Sequence, residues 1–506
     1  MDSVPLIPLP LPAPGALPSP RLSPDGAGRA LRHGAQQVLL GNWTGTSTVP
    51  SRTLYPHQWS WDSAFVAIGL RHFSPGRARG ELETLLAAQW LDGRVPHIVF
   101  NPSVPLGSYF PGPDFWRSGG AATGAGSPAR TETSGIVQPP VHALAAWLVH
   151  EADPAGSARS GFLARVYPRL AAWHHYLTTA RDLGGAGLAS VVHPWESGMD
   201  NSPCWDGPLD RIEPVDPRAF RRADLAHGAA DHRPTDLDYG RYVRLAADYR
   251  DHGYSDTDAP HRFAAEDPCL NALLIVSELA LARIARETGA DAAAHERHAA
   301  RLTAALVERL WDAESGMFLC RDVRDGEGGT LIRERSVAGL VPLIVPGLPE
   351  DVVAAMVATA HGERFALGRL AMVPSYDLHG ESFHPSRYWR GPAWFNTNWL
   401  IERGLRLHGA TDQADALRSG LFAAAGASGF AEYVDPFTGR ACGARSFSWT
   451  AALTVDLLDG PDDHFPLGAP GGAPGLSVPV PRTASAAEAS AEASAVVAAE
   501  ASAVRR

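Results

Sequence analysis

The chain has 506 residues, 45% of them hydrophobic, so it can bury a large core as one big domain or as two or three smaller ones. Its 44 basic and 55 acidic residues give a net charge of -11, without a run of Lys or Arg. Nucleic acid and anionic membrane surfaces are therefore excluded as expected partners, and small neutral or polar molecules remain.

The two ends of the chain differ from the rest in composition. Residues 1–27 contain many prolines and lack the basic region of a signal peptide, which predicts a disordered leader. From about residue 469 the chain repeats Ala, Ser, Glu and Pro, and residues 461–506 are predicted to be a disordered tail. No comparable linker interrupts residues 28–460, which we expect to form a single domain.

The cysteines and the apolar segments indicate a cytoplasmic protein, and the sequence allows either a monomer or a homo-oligomer. No stretch approaches the roughly 20 apolar residues that a membrane span requires. The cysteines share no CxxC spacing, so they are predicted to be reduced thiols; they are Cys204, Cys269, Cys320 and Cys442.

Periodic apolar residues predict helices arranged in pairs. In "QPPVHALAAWLVHEA" (138–152) the prolines are predicted to occupy the first turn of a helix with one apolar face. The segment "CLNALLIVSELALARIARETGAD" (269–291) is apolar all round in its first half, and Gly289 is predicted to end it. An amphipathic return helix follows it, and residues 396–421 repeat the pattern. Such helix-turn-helix repeats suggest a two-layered α/α toroid, and the scarcity of strand-like alternation disfavours a parallel sheet.

Long loops hold most of the 14 tryptophans beside Asp, Glu, His, Asn and Arg. Loops of this length are usually functional, and a toroid can gather them at one end. Aromatic planes stack on sugar rings, while carboxylates, amides and guanidinium groups bind hydroxyls, so the loops predict a carbohydrate pocket. Hydrolysis of a glycoside requires two carboxyl groups in different protonation states. The loops are residues 55–65, 107–120, 193–206, 374–399 and 430–449.

Structural roles compete with functional ones for each candidate. Trp59, Trp61 and Asp62 fit either a sugar-binding wall or an aromatic core cluster with a helix-capping Asp. Any one of Glu196, Asp200 and Asp206 fits a loop cap or a solvated charge, although their grouping favours a site.

Other chemistries have little support in the sequence. The motifs of serine hydrolases, zinc proteases and phosphate-binding loops are absent. His295 and His298 have the spacing of metal ligands on a helix, but their neighbours are Ala, Glu and Arg, so we expect both to be exposed to solvent. The sequence therefore predicts neither a metal nor a cofactor.

Six motifs occur in an order typical of one family. They are "HQWSWDSAFVAIGL", "DGRVPHIVF", "WESGMDNSP", "RPTDLDYGRYVRL", "YWRGPAWFNTNWL", and "FAEYVDPFTG" followed by "FSWTAAL". Over roughly residues 28–460 the chain resembles the glycoside hydrolases of family 63, in the branch of mannosylglycerate and glucosylglycerate hydrolases. The resemblance implies an all-α (α/α)6 barrel, a six-hairpin toroid with long active-site loops. It also implies an inverting hydrolase that acts on an α-glycoside.

The resemblance assigns roles to individual positions. Asp200 matches the general acid, with Met199, Trp195 and Trp205 as apolar surroundings that would raise its pKa, and Glu432 matches the base, which we expect to be open to water. Arg233 and Tyr239 match the pair that holds glycerate, although Arg233 also fits a surface salt bridge to Asp236 or Asp238. Glu196 is expected to support the site or bind a hydroxyl. The sugar subsite is implied to comprise Trp59, Trp61, Asp62, Gln138, Trp389 and Trp394, and Tyr55, Tyr109 and Tyr388 are implied to close the glycerate end.

The expected reaction is hydrolysis of glucosylglycerate to glucose and glycerate. Mannosylglycerate hydrolysis, a broader α-glucosidase activity and a non-catalytic sugar-binding protein remain as alternatives. The stretch "GRACGARSF" (439–447) does not align residue by residue with the family, so its contacts with substrate are in doubt.

Overall fold

The structure is a computed structural model that describes residues 26–119, 126–222, 224–226 and 232–460. The predicted disordered tail lies outside the described residues, as does nearly all of the predicted leader. The helices are α1 (Ala27–Gly41), α2 (Ser60–Leu70), α3 (Pro75–Ala87), α4 (Pro113–Trp116), α5 (His142–Ala152), α6 (Pro154–Ser160), α7 (Phe162–Thr179), α8 (Asp206–Leu209), α9 (Asp236–Asp251), α10 (Pro268–Thr288), α11 (Ala292–Leu310), α12 (Glu350–His361), α13 (Phe395–Leu407), α14 (Thr411–Ser428) and α15 (Ser448–Asp459).

Five helices form most of a closed inner ring. Each of α2, α5, α10, α13 and α15 buries apolar residues around most of its circumference. Packing runs from α15 to α2, α5 and α10, then through the 3-10 turns Val337–Gly339 and Val341–Ile344 to α13, and back to α15. The ring therefore has six positions, one of them filled by 3-10 turns instead of a long helix.

The remaining long helices of the barrel form an outer layer. Helix α1 packs on α15, α3 on α2, α7 on α5 and α10, α11 on α10, and α14 on α13, while α12 follows the 3-10 turns. Outer helices such as α11 bury a single face, which includes Leu302, Leu306 and Leu310. The two layers confirm the predicted (α/α)6 barrel.

Helix α10 is the longest of the inner helices. Among the described residues, it alone is long and apolar enough to cross a membrane. The expectation that no stretch approaches the length and apolar composition of a membrane span is therefore wrong for this helix. However, 89% of its apolar window is buried inside the protein. Core helices of soluble proteins pass the same test, so this segment is weak evidence for a span. The helix ends at Gly289, as predicted.

Two local predictions are wrong. Helix α5 begins at His142, so Pro139 and Pro140 precede its first turn, because a residue before proline is held in an extended conformation. His295 and His298 are mostly buried, with 14% and 24% of their side chains exposed. Their Nδ1 atoms lie 2.7 Å and 3.1 Å from a carboxylate oxygen of Glu278, which is buried on α10. The pair therefore joins α11 to α10.

Short antiparallel strands tie the loops to the inner ring. Strand β1 precedes α2, β4 precedes α10 and β9 precedes α13, so three strands end where an inner helix begins. Two sheets have two strands, β1 with β2 and β5 with β6, and the two larger sheets have the strand orders β9-β10-β11 and β3-β4-β7-β8. The strands are β1 (Gln58–Trp59), β2 (Ile98–Val99), β3 (Ser190–Val191), β4 (Ala265–Glu266), β5 (Trp311–Asp312), β6 (Met317–Phe318), β7 (Arg321–Asp322), β8 (Thr330–Leu331), β9 (Ala393–Trp394), β10 (Tyr433–Val434) and β11 (Ala441–Cys442).

Candidate active site

One cavity lies at the N-terminal end of the inner helices. It contains about 790 Å³ of empty space, including its opening to solvent, which is the size of a pocket for a small ligand. All of the predicted site residues line it: Asp200, Glu432, Tyr55, Trp59, Trp61, Asp62, Tyr109, Gln138, Trp195, Arg233, Tyr239, Tyr388, Trp389 and Trp394. The fold therefore brings together residues from all of the long aromatic loops.

Tryptophan rings form one wall of the cavity. Trp389 and Trp394 stack with their ring centroids 3.9 Å apart, and Trp394 stacks on Tyr433 at 4.3 Å. Trp61 meets Trp449 edge-on at 5.5 Å. The four tryptophan rings are almost completely buried and also line the cavity, so Trp61 belongs to an aromatic core cluster and its place in a sugar-binding wall stays a prediction.

A second aromatic group also lines the cavity. Trp59 meets Tyr55 and Tyr109 edge-on at 5.3 Å and 5.1 Å. Trp195 is half-buried and stacks on His97, with centroids 6.4 Å apart. Burial lowers the pKa of His97 to about 3, so this ring is neutral. The side wall is thus aromatic and uncharged.

Asp62 presents an unpaired carboxyl oxygen in this apolar setting, where burial raises its pKa well above the ordinary value. The residue lies in the first turn of α2 and is 4% exposed. Its Oδ1 atom has no hydrogen-bond partner among the described residues. Gln138 accepts a hydrogen bond of 3.3 Å from the backbone N–H of Trp61. Because an unpaired buried polar atom is costly, Asp62 is suited to accept a hydrogen bond from a bound hydroxyl group.

Asp200 has the environment of a proton donor. It lies in the loop between two 3-10 turns, Pro194–Ser197 and Pro203–Trp205. Burial raises its pKa to about 7, and repulsion from Glu432 acts in the same direction, while Arg233 opposes the rise. Trp205 supports the loop by donating a 2.9 Å hydrogen bond to the carbonyl of Met199. The carboxyl of Asp200 can therefore keep a proton near neutral pH.

Glu432 is held by three groups. Its Oε1 atom accepts a 2.9 Å hydrogen bond from the Tyr55 hydroxyl, and Oε2 accepts one of 2.9 Å from the backbone N–H of Ala444. The guanidinium of Arg233 lies 3.9 Å from Oε2. The expectation that this base is open to water is wrong, because Glu432 is 1% exposed and burial raises its pKa. Arg233 and the two hydrogen bonds favour its charged form.

Arg233 lies in the cavity and not on the surface. Its Nη1 donates a 3.0 Å hydrogen bond to the Tyr55 hydroxyl, and its guanidinium lies 4.8 Å from the ring centre of Tyr388. The alternative of a salt bridge to Asp236 or Asp238 is therefore wrong. Asp236 pairs with Arg222, and Asp238 caps α9 through Thr235.

The remaining tyrosines shape the cavity with their rings. Tyr239 donates a 2.9 Å hydrogen bond to the carbonyl of Phe110, and its ring lies beneath the guanidinium of Arg222. Tyr388 accepts a hydrogen bond at its backbone carbonyl from the indole of Trp394. Tyr239 therefore contributes its ring to the cavity, while its hydroxyl is used within the protein.

Two acidic residues of the Trp195 loop have structural roles. Glu196 is completely buried and forms a bidentate ion pair with Arg181 at 2.7 Å and 2.9 Å. It also accepts a hydrogen bond from the backbone N–H of Val137, next to Gln138. Asp206 pairs with Arg390. Neither acid lines the cavity, so Glu196 supports the site and does not bind a hydroxyl.

Sequence reasoning missed several contributors. Ala444 and Gly443 lie in the stretch that does not align with the family, yet Ala444 binds the base, and a Cβ at Gly443 would lie 2.4 Å from the Oε2 atom of Glu432. The sequence does not show where a backbone N–H donates a hydrogen bond, because every residue other than proline has one. Only the presence of Gly443 indicated that the backbone comes close to Glu432. Lining residues that were not singled out include His97, Phe110, Asp224, Phe447 and Trp449.

The site residues offer oxygen and aromatic groups, and not a metal-ligand set. Among the residues that the structure describes, there is no group of three or more His, Cys, Asp or Glu arranged to hold a metal ion. The four cysteines are free and buried. The chemistry available in the cavity is therefore that of carboxyl groups, hydroxyl groups and a guanidinium.

The chain matches a known family over most of its length. Residues 55–450 match the mannosylglycerate hydrolase MGH1-like glycoside hydrolase domain. The chain belongs to this glycoside hydrolase family. This MGH1-like glycoside hydrolase is 40% identical to a mannosylglycerate hydrolase of Rubrobacter radiotolerans over 84% of the chain and 96% of the relative. It is 38% identical to a glucosylglycerate hydrolase of Mycolicibacterium hassiacum over 84% of the chain and 96% of the relative.

A solved structure shows the same architecture. The family 63 mannosylglycerate hydrolase of Thermus thermophilus, solved in complex with Tris and D-glycerate, superposes on this MGH1-like glycoside hydrolase with a TM-score of 0.76. The two are 37% identical, and the match covers 84% of the chain and 99% of the Thermus protein. The predicted family is therefore confirmed, and the chain is an enzyme that hydrolyses glycosides of small sugars.

Proposed function

We propose that this glycoside hydrolase cleaves the α-glycosidic bond of a hexosyl-glycerate with inversion, releasing the free sugar and glycerate. The observation that carries the proposal is the pair Asp200 and Glu432, two carboxyls with raised pKa values in one aromatic cavity that differ in their hydrogen-bond partners. Asp200 is partly buried, has a raised pKa and holds a proton, whereas Glu432 accepts two hydrogen bonds beside Arg233. An inverting glycosidase requires this division between acid and base.

Asp200 donates its proton to the glycosidic oxygen as the bond from that oxygen to the anomeric carbon breaks. Without this proton the leaving group would depart as an alkoxide, which is much less stable in an apolar cavity. The leaving glycerate therefore takes its hydroxyl hydrogen from Asp200. A pKa of about 7 leaves a substantial protonated fraction at neutral pH.

Glu432 accepts a proton from water as the water oxygen attacks the anomeric carbon from the opposite face. The water supplies the new hydroxyl of the sugar, and its proton stays on the Glu432 carboxylate until the site is reset. Tyr55 and Ala444 hold the two carboxylate oxygens in position for this transfer. An α-glycoside would give a β-sugar as the first product.

Arg233 supports an acidic leaving group. Among the described residues, its guanidinium donates one hydrogen bond, so most of its N–H groups remain for a ligand. A planar carboxylate such as that of glycerate fits a guanidinium in a paired arrangement. The Thermus relative crystallised with D-glycerate supports this choice of leaving group.

The sugar is glucose or mannose. The sequence favoured glucosylglycerate, and relatives named for mannosylglycerate give the mannosyl substrate equal support. The two sugars differ only in the orientation of one hydroxyl, at C2. Discrimination therefore depends on a single hydrogen bond, for which the unpaired Oδ1 of Asp62 is one available acceptor.

The test is to incubate the purified protein with glucosylglycerate, mannosylglycerate and maltose and to measure released sugar. Cleavage of either glycerate conjugate, with the β-anomer first in proton NMR, supports the proposal. Cleavage of maltose alone contradicts the glycerate assignment and identifies an α-glucosidase. Binding without cleavage contradicts the catalytic assignment and identifies a sugar-binding protein. An α-anomer formed first contradicts inversion.

A further inference from the structure

Arg233 has contacts that extend beyond the binding of a ligand. Tyr55 accepts a hydrogen bond from Nη1 of Arg233 and donates one to Glu432, which links the guanidinium to the base through one hydroxyl. The Nη2 atom lies 3.9 Å from Glu432 directly. The side chain of Arg233 is only 9% exposed, so water screens its charge weakly. A change in the charge around Arg233 must therefore change the pKa of Glu432.

The same guanidinium acts on the acid. Its positive charge lowers the pKa values of Asp200 and of Glu432, and burial raises both. In the empty cavity Arg233 thus favours loss of the proton that Asp200 must donate, and it weakens Glu432 as a base. A carboxylate bound to Arg233 would offset its positive charge and remove both effects.

We propose that Arg233 couples recognition of the leaving group's carboxylate to the protonation of Asp200 and Glu432. When an anionic leaving group binds to Arg233, Asp200 keeps its proton more readily and Glu432 becomes a stronger base for the hydrolysis of that same substrate. This inference rests on the proposed function, because it requires that glycerate binds at Arg233. It predicts that hydrolysis of a substrate with an uncharged leaving group declines at a lower pH than hydrolysis of the glycerate conjugate, for a reason other than weak binding.

The other ionisable groups facing these carboxyls cannot replace Arg233 in this role. Within the part of the chain that the structure describes, the remaining groups are acids and tyrosines, so Arg233 is the cation with the largest effect on both carboxyls. The described groups that face Asp200, Glu432 or both are Asp62, Asp224, Tyr55, Tyr109, Tyr239, Tyr242, Tyr388 and Tyr433.

Calorimetry of D-glycerate binding tests the coupling without turnover. Titrations at pH 7 in buffers with different ionisation enthalpies give the number of protons taken up on binding. A rise of about one unit from a pKa of about 7 takes up about 0.4 proton, and Asp200→Asn should lose most of this uptake. Binding without proton uptake, or uptake that is unchanged in Asp200→Asn, overturns the coupling. Failure of D-glycerate to bind at all overturns both the coupling and the glycerate assignment.

Kinetics with an uncharged analogue give a second test. Glycosylglycerol has the same bond, but a hydroxymethyl group replaces the carboxylate. For the glycerate substrate we expect the alkaline limb of kcat to lie about one pH unit above that of kcat/KM, because kcat reports the complex and kcat/KM the free enzyme. For glycosylglycerol the two limbs should coincide.

Substitution of Arg233 identifies the source of the shift. With glycosylglycerol, Arg233→Gln should move the alkaline limb of kcat/KM up by about one pH unit, whereas Arg233→Lys, which retains the charge, should leave it in place. An unmoved limb in Arg233→Gln overturns the coupling. Wild-type protein could hydrolyse a hexosyl-glycerate with inversion and show the same alkaline limb in its kcat and kcat/KM profiles for both substrates. In that case the coupling fails and the proposed function stands.

Discussion

Tyr55 and Glu432 lie 377 positions apart in the sequence, yet the hydroxyl of Tyr55 donates a 2.9 Å hydrogen bond to the carboxylate of Glu432. Tyr55 precedes the first inner helix of the ring, and Glu432 precedes the last one. Closure of the ring brings the two ends of the barrel together, and the base is positioned at this junction. The catalytic geometry therefore depends on the packing of the first and last hairpins.

Replacement of Tyr55 by Phe should reduce kcat more than it changes substrate binding. The variant keeps the aromatic ring against Trp59 but removes the donor to Glu432 and the acceptor for Arg233. Loss of one charge-assisted hydrogen bond amounts to about 1.5–3 kcal/mol, so we expect kcat to fall about 10-fold to 100-fold. Steady-state kinetics on the cleaved hexosyl-glycerate measures this. An unchanged kcat with a raised KM would instead assign Tyr55 to binding alone.

The pH dependence should identify Asp200 as the acid. Its pKa is raised to about 7, so the protonated form needed for catalysis is lost as the pH rises through this value. The kcat/KM profile of the wild type should therefore decline above about pH 7. Asp200→Asn should be at least about 100-fold less active and should lose this decline, because its amide does not titrate. A decline that persists in residual Asp200→Asn activity would show that another group is responsible.

The grouping of aromatic residues and acids in five loops predicted where the cavity would form, because such long loops are usually functional. The family resemblance, and not the loop pattern, assigned Trp389 and Trp394 to the sugar subsite, while the pattern alone left Asp62 open between a hydroxyl acceptor and a helix cap. Helical periodicity likewise predicted α10 and α11, because apolar faces repeat in step with the helix. Six positions in the ring were implied only by the family resemblance, and the sequence pattern alone indicated a toroid of helical hairpins.

The sequence could not show which charged residues meet across the fold. Glu196 resembled a site carboxylate, but it pairs with Arg181, and no spacing rule relates two loop residues 15 positions apart. His295 and His298 were expected on an exposed face because their partner, Glu278, belongs to a different helix. The burial of Glu432 was missed for the same reason, since its cover comes from elements distant in the chain.

Gly443→Ala should impair catalysis through the base. The backbone at Gly443 has a φ of +66°, and a Cβ there would lie 2.4 Å from Oε2 of Glu432. Gly439→Ala is the matched control, because its φ is +67° and nothing lies within 4 Å of the added carbon. Both variants should lose about 1 kcal/mol of stability from backbone strain. Only Gly443→Ala should lose kcat, by about 10-fold or more, since displacement of the base disturbs its alignment. Equal kcat values in the two variants would contradict this role.

Closure of the inner ring can be tested at the contact between α2 and α15. A Cβ at Gly69 on α2 would lie 2.4 Å from the Cα atom of Ala452 on α15, so the two helices touch through their backbones. Gly69→Ala should therefore destabilise the protein by about 1–3 kcal/mol or more, because the helices must separate. Gly80→Ala on the outer helix α3 meets nothing within 4 Å and should stabilise it by about 0.5–1 kcal/mol through helix propensity. Thermal unfolding of both variants measures the difference. Because Tyr55 and Glu432 lie on opposite sides of this junction, Gly69→Ala should also lower kcat at temperatures where it remains folded, whereas Gly80→Ala should retain wild-type activity.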